Sequence, residues 1–229
     1  MSTAAPEWWR RPRRLHVVIE NPSWILPHCE KLVSELRAGG DTADLFRSYD
    51  ELPEGEVAIF LGCIHIASHE VLARHRYNLV VHESDLPKGR GFSPLTWQVI
   101  EGSSEISIYL LEAVAEADAG PVYARDVMNF LGHELIDEVR EVQAERTISL
   151  CRRFLDEPSP PTGTPQQGIT SHYPRRRPAD SRLDPQESLA AQFDLLRTVD
   201  NERYPAYFDL RGHRYELTIS KTAANQDEQ

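Results

Sequence analysis

Apolar residues in this chain fall in short runs separated by turn-forming clusters, and the spacing switches between continuous and helical. Residues 15–20 form a β-branched run with Asn21-Pro22-Ser23 as a turn behind it, which predicts a buried first strand. Pro27 suits the first turn of a helix whose apolar positions Leu32, Val33 and Leu36 share a face, and Gly39-Gly40 stops it. Strand-like residues follow at 42–46 and 57–61, then a short helix at 70–73 and a third continuous apolar run at 78–82. Pro87, Gly89 and Gly91 make 86–93 a loop; Pro94 opens a helix over 95–100 that Gly102 closes. Two more strands are predicted at 105–112 and 121–127, joined by the turn Asp118-Ala119-Gly120. The longest helix is predicted over 131–155, with Leu131, Leu135, Val139 and Val142 on one stripe and Glu134, Glu138, Glu141 and Glu145 on a solvated face. Such alternation predicts an α/β, Rossmann-like fold, a mostly parallel sheet with helices on both faces.

Composition shifts at 158–168, where Pro158, Pro160, Pro161 and Pro165 rule out a regular helix or central strand. Beyond lie a basic, turn-rich stretch to Arg177, a helix predicted over 185–198 on Leu189, Phe193 and Leu196, and a hairpin of 204–210 with 215–219 turned by Arg211-Gly212-His213. The expected organisation is a mobile leader (1–14), a core (15–157), a Pro-rich linker (158–168), a small C-terminal α+β segment (169–221) ending in the hairpin, and a disordered tail (222–229).

The 229 residues are 40% hydrophobic, enough to build one core without cross-links. Cys29, Cys63 and Cys151 have neither paired spacing nor a CxxC pattern, and His65, His69 and His75 lack the HExxH spacing of a zinc helix, so no metal site is expected. With 25 Lys+Arg against 36 Asp+Glu the net charge is −11, which argues against a nucleic-acid partner. The longest mostly apolar run, 57–67, is too short for a membrane span and contains His65, and 1–14 lacks a signal peptide's apolar stretch; the expectation is a cytoplasmic protein.

Ligands of open α/β sheets bind beyond the C-terminal ends of the strands, which directs attention to the loop after His82. There the chain reads Val80-Val81-His82-Glu83-Ser84-Asp85-Leu86-Pro87-Lys88-Gly89-Arg90-Gly91-Phe92-Ser93-Pro94. This resembles the folate-dependent formyltransferase signature Asn-x-His-Pro-Ser-x-Leu-Pro-x-x-Arg-Gly-x-x-Pro, and the likeness continues through Trp97 and Gly102 to Asp118-Ala119-Gly120-Pro121. The resemblance implies formyl transfer from 10-formyltetrahydrofolate to an amine, with His82 as acid/base and Asp118 orienting the imidazole or a water. It also implies that Leu61, Gly62, Cys63, Ile64, Leu86 and Gly120 border the folate. Val80 stands where the family has Asn, and valine cannot donate to an oxyanion. Imidazolium His82, Ser84 or backbone N–H groups of the loop are the available substitutes; Asn78, two residues earlier, does not share Val80's reach.

The segment from Tyr173-Pro174-Arg175-Arg176-Arg177 to Asp184, and that from Leu196 to Phe208, resemble sugar N-formyltransferases. Together with Asn21-Pro22-Ser23-Trp24-Ile25-Leu26-Pro27 they are most similar to the branch acting on amino-dideoxy sugars of the pseudaminic acid type. The implied acceptor is a small amino sugar, usually nucleotide-linked. Lys88, Gly89, Arg90, Tyr173, Arg176, Arg197, Tyr204 and Tyr207 are the side-chain and backbone types that would hold it, aromatic rings under the base and cations on the diphosphate. A homodimer is left open. Three alternatives stand beside this reading: a methionyl-tRNA formyltransferase, for which the acidic charge is wrong; a phosphoribosylglycinamide formyltransferase, which lacks such a C-terminal segment; and a non-catalytic folate or nucleotide-sugar binder, given Val80.

Overall fold

In the computed structural model, which describes residues 5–21 and 24–222, the first strand is β1 (Arg14–Val18), and its Leu15, Val17 and Val18 are fully buried. Burial on both faces is why this strand reads as a continuous apolar run rather than an alternating one. Then come α1 (Leu26–Ala38), β2 (Thr42–Phe46), β3 (Gly55–Phe60), α2 (His69–Leu72), β4 (His75–His82), β5 (Arg90–Gly91), α3 (Pro94–Ile100), β6 (Glu105–Glu112), β7 (Val122–Asn129), α4 (Ile136–Leu155), β8 (His172–Tyr173), α5 (Phe193–Leu196), β9 (Ala206–Leu210) and β10 (His213–Leu217). The central sheet has six strands in the order β2-β1-β3-β4-β6-β7; the first four are parallel, β6 runs antiparallel to β4, and β7 runs antiparallel to β6. Its main core joins Leu15, Val17 and Ile59 of the strands to Leu32 of α1 and Leu150 and Phe154 of α4. A smaller cluster of Val18, Ala58, Phe60, Leu52 and Val71 covers the other face. The mostly parallel, doubly covered sheet predicted from the pattern is the one observed.

Several boundaries differ from expectation. Within the segment expected to be a mobile leader, side chains pack against the core: Trp9 is 4% exposed, its indole donates to the Glu157 carbonyl at 2.9 Å, and it joins an aromatic cluster with Tyr77 and Phe154. Arg13 is buried against Asp41, Nη2 to Oδ2 2.8 Å, and also donates to the Leu155 carbonyl at 2.7 Å. Helix α4 begins at Ile136, not 131, because the Glu134 carboxylate takes the backbone N–H groups of Leu131 (2.7 Å) and Gly132 (2.9 Å). Leu131 is therefore 85% exposed, and Glu134, expected in solvent, is 9% exposed.

The Pro-rich linker is an ordered strap. Thr164 exchanges two backbone hydrogen bonds of 2.8 Å with Val122, and the Pro161 carbonyl accepts from Tyr77 Oη at 2.9 Å. The helix expected over 185–198 shrinks to the four residues of α5, and Leu189 is 64% exposed. Gln192 ties the segment into a loop instead: its side chain accepts from Asp184 N at 2.6 Å and donates back to the Asp184 carbonyl at 3.0 Å, taking a carbonyl that the first turn of the helix would otherwise use. A hairpin forms where one was expected, but β9 starts at Ala206 and β10 runs from His213 to Leu217, so the turn is Arg211-Gly212 alone; both take positive φ (51° and 81°), the primed-turn geometry that matches strand twist. The expected disordered tail from 223 onward, Pro22-Ser23 of the first turn and the first four residues of the leader lie outside the described residues.

Candidate active site

His82 is the last residue of β4, placed at the C-terminal edge of the parallel strands by its pairing with Tyr109 of β6. The chain then loops outward and returns as the two-residue strand β5, which lies parallel to β8 from the C-terminal segment. Gly89 N donates to Ser171 Oγ at 2.9 Å and Arg90 N to the Ser171 carbonyl at 3.0 Å. Glycine is required here: a Cβ on Gly91 (φ 103°) would stand 2.5 Å from the Tyr173 carbonyl oxygen. Residues the pattern assigned to a free loop and a turn-rich stretch therefore form one small parallel ladder.

Asp118 sits in the β6–β7 turn with φ 55°, in the left-handed region that Asp tolerates better than most residues. Its Oδ1 faces His82 Nδ1 at 3.3 Å, and its Oδ2 accepts from Gly91 N at 2.9 Å. One carboxylate thus holds both the imidazole and the loop that covers it. His82 is 4% exposed, and its Nε2 lies 2.8 Å from the Gly89 carbonyl oxygen. Both ring nitrogens thus face acceptor oxygens. Gly120 allows the turn to close, since a Cβ there would fall 1.9 Å from the Glu112 carbonyl oxygen.

Ser84 is 1% exposed, and its hydroxyl finds no hydrogen-bond partner among the described residues. Glu83 is also drawn inward: Gln143 of α4 donates to its Oε1 at 2.6 Å, and burial raises its carboxyl above the usual range. Val80 packs against the small cluster of Leu86, Tyr109 and Leu111. Asn78 is engaged elsewhere, its Nδ2 donating to the Leu72 carbonyl at 3.0 Å and lying 3.3 Å from Glu112 Oε1.

The register Phe60 to Val80 puts Leu61 and Gly62 beside the end of β4. Glu20 fixes the backbone that follows, its Oε2 accepting from Ile64 N (3.3 Å) and His65 N (3.2 Å), and Tyr49 Oη donates to the His65 carbonyl at 2.8 Å. Cys63 donates to the Val18 carbonyl at 3.4 Å, and burial pushes its thiol up to about 11, which leaves it a packing residue. Ile64 is 44% exposed.

The expected acceptor-binding set divides. Lys88 and Tyr204 are exposed, and Tyr173 lines the loop with its hydroxyl on Glu101 Oε2 at 2.7 Å. Arg90 is held inside by Glu116 Oε1 and Gln166 Oε1, each at 2.8 Å. Arg176 donates to the Thr198 carbonyl (3.1 Å) and Ser181 Oγ (3.2 Å), and Arg197, 2% exposed, bonds Asp194 at 2.7 Å with Glu134 at 3.7 Å. Tyr207 is 9% exposed beneath the Arg214 guanidinium. Arg90, Arg176 and Arg197 thus place part of each guanidinium on acceptors within the fold, although Arg90 Nε, Arg176 Nε and Arg197 Nη1 are buried with no hydrogen-bond partner among the described residues, and Tyr207 gives one ring face to Arg214. Glu20, Gln166 and Gln143 are not legible in the sequence: Glu20 and Gln166 are single polar residues in irregular segments, and Gln143 is one polar position among many on the long helix α4. A groove of about 720 Å³ between α1 and α4, lined by charged side chains such as Lys31, Glu35 and Arg152, contains none of the expected residues. Among the described residues no three His, Cys, Asp or Glu side chains gather as a metal site, and no helix is long and apolar enough to cross a membrane.

No protein-family model matches the chain. Among solved structures it is similar to methionyl-tRNA formyltransferase from Clostridium thermocellum (21% identity, TM-score 0.79, over 91% of this chain and 93% of that one). A sugar N-formyltransferase from Shewanella sp is 13% identical at TM-score 0.67, over 93% of this chain and 99% of that one. HypX from Aquifex aeolicus in complex with tetrahydrofolic acid is 18% identical at TM-score 0.68, over 89% of this chain and 37% of that one. With its parallel sheet, its strand-end His82 and a C-terminal hairpin in one chain, this protein has the fold of the formyltransferases.

Proposed function

We propose that this protein is an N-formyltransferase that moves a formyl group from 10-formyltetrahydrofolate to the amine of a nucleotide-linked amino-dideoxy sugar in the cytoplasm. The observation that carries the reading is the His82–Asp118 pair, 3.3 Å apart at the C-terminal edge of the sheet, on a fold found in formyltransferases. The fixed backbone of Leu61 to Ile64 beside β4, the exposed Ile64 side chain and the unpartnered Ser84 hydroxyl fit a flat, polar-edged heterocycle such as a pterin. When bound, the donor supplies an electrophilic formyl carbon.

The residues of this chain then have distinct tasks. An amine that acquires the formyl group must lose a proton, and His82 Nε2 is the ring nitrogen not turned to Asp118. Nε2 reaches a reactant only by exchanging its bond to the Gly89 carbonyl, while Asp118 keeps Nδ1 and the ring plane in place. Negative charge developing on the carbonyl oxygen needs donors; with Val80 in place of an amide, the Ser84 hydroxyl and the His82 ring are the groups present. The net charge of −11 disfavours tRNA as the acceptor.

Incubation with 10-formyltetrahydrofolate and a panel of nucleotide-linked amino-dideoxy sugars, followed by mass spectrometry, tests this reading. A gain of one formyl group on one member is expected. Folate binding without product, on a panel that a control enzyme formylates, would replace it with a non-catalytic binder; formylation of methionyl-tRNA would replace the acceptor.

A further inference from the structure

The strap that precedes β8 delivers one side chain to the back of the candidate site. Gln166 Nε2 donates to the carbonyl oxygens of Asp118 (2.7 Å) and Gly120 (2.9 Å), and Gln166 Oε1 accepts from Arg90 Nη2 (2.8 Å). A carboxamide offers two N–H donors and a carbonyl acceptor on one fork, and all of it is in use here. The two carbonyls flank the turn that carries Asp118 at φ 55°, so the amide holds the unusual backbone from which the Asp118 carboxylate reaches His82 and Gly91 N. The third contact leads to the other partner. Arg90 lies between Gly89, whose carbonyl meets His82 Nε2, and Gly91, whose N–H meets Asp118 Oδ2. Gln166 itself is anchored by the paired bonds of Thr164 to Val122 and by the close fit of Gly163, where a Cβ would stand 2.8 Å from Pro121 Cβ.

We infer that Gln166 is a positioning residue: it sets the backbone of the Asp118 turn and, through Arg90, that of the His82 loop, and so fixes the imidazole–carboxylate pair without acting on a reactant. The inference rests on the N-formyltransferase reading for its catalytic consequence, and its geometry stands independently of the acceptor.

Two substitutions separate positioning from simple tethering. Gln166→Glu keeps the length and the acceptor for Arg90 but sets a carboxylate oxygen against two carbonyls; Gln166→Met removes every polar contact. If Gln166 only ties the strap to Arg90, the Glu variant works as well as the parent. Positioning predicts that Gln166→Glu lowers kcat by about 10- to 100-fold while KM for either substrate stays within about twofold, the pattern of a slightly misplaced catalytic pair. It also predicts non-additivity: Gln166→Glu combined with Asp118→Asn is no slower than Asp118→Asn alone. A substrate-free readout is the Gly91 amide in nitrogen–proton correlation spectra, recorded below the thermal midpoint of each variant. In Gln166→Glu it is expected to move toward its position in Asp118→Asn; an unmoved Gly91 resonance, full activity of Gln166→Glu, or additive losses would overturn the inference. Should Gln166→Met not fold, the Glu variant carries the test. Retained turnover in His82→Ala removes the functional reading and leaves the Gly91 resonance to decide positioning; an inactive His82→Ala beside a fully active Gln166→Glu removes positioning alone.

Discussion

His82 and Asp118 face each other across 3.3 Å because β4 and β6 are neighbours in the sheet and the turn after β6 folds back over the strand end. The carboxylate is singly responsible for two alignments, the imidazole through Oδ1 and the Gly91 backbone through Oδ2. Asp118→Asn keeps the size but replaces one acceptor oxygen by a donor. Turnover is expected to fall by roughly 100-fold or more with little change in KM, measured by steady-state formylation. Near-normal turnover of this variant, or of His82→Ala, would remove both residues from the chemistry.

Ser84→Ala should separate stability from function. The buried hydroxyl has no hydrogen-bond partner among the described residues, so its removal leaves none of them unsatisfied and the thermal midpoint should hold or rise by about 1–3 °C. If Ser84 donates to the reacting carbonyl, kcat falls roughly 100-fold. Unchanged kcat would exclude the hydroxyl as the substitute for the missing amide at Val80.

Gly120→Ala places a Cβ 1.9 Å from the Glu112 carbonyl oxygen, a backbone atom that cannot swing aside. Overpacking of this kind costs about 1–3 kcal/mol or more, and a drop of roughly 2–12 °C or more in melting temperature is expected. The same change at Gly40 or Gly132, where nothing lies within 4 Å of the added atom, meets no such contact and carries only the strain of a positive φ.

Stability should also fall in mild acid through a pair far from the candidate site. His16 Nδ1 and His75 Nε2 lie 2.7 Å apart, both side chains buried under Gly55, with Arg14, Asp44, Glu56 and Arg74 around them. Burial, and then the neighbouring His16, lowers His75 to about 4, and burial lowers His16 as well. A histidine whose folded value lies below its unfolded one contributes stability above pH 6.5, which is lost as pH falls toward 4, because the unfolded chain takes up the proton first. Calorimetry from pH 7 to 4.5 should show a loss on the order of 2 kcal/mol, roughly 4–8 °C, beyond that of His75→Gln. Equal slopes in the two proteins would mean the pair does not couple to folding.

Arg197→Met probes a cation that the sequence suggested for the acceptor and the fold uses internally. The guanidinium is 2% exposed and bonds Asp194, whose side chain is 44% exposed, with Glu134 at 3.7 Å, so its loss is expected to cost about 1 kcal/mol. The melting temperature should fall while the acceptor KM stays unchanged in the folded protein; a raised KM at unaltered stability would return Arg197 to the binding surface.

What the sequence determined by itself was the local periodicity and the short-range turns. The strand Arg14–Val18, the helix ended by Gly39, the hairpin turned at Arg211-Gly212 and the ordered run of residues from His82 to Asp118 were all legible, because burial on two faces, one-sided burial and positive φ each leave a mark within a few residues. Tertiary structure decided the rest. Arg90-Gly91 and His172-Tyr173 are too short to announce a ladder, and they pair only because two distant loops meet at one sheet edge. The strap of prolines looked like a spacer, since proline breaks regular elements, yet its carbonyls and Gln166 remained free to bond the sheet and the Asp118 turn. An arginine written in a sequence shows its charge but not its partner: Arg90, Arg176 and Arg197 all had the right chemistry for a diphosphate, and the fold supplied each with acceptors of its own.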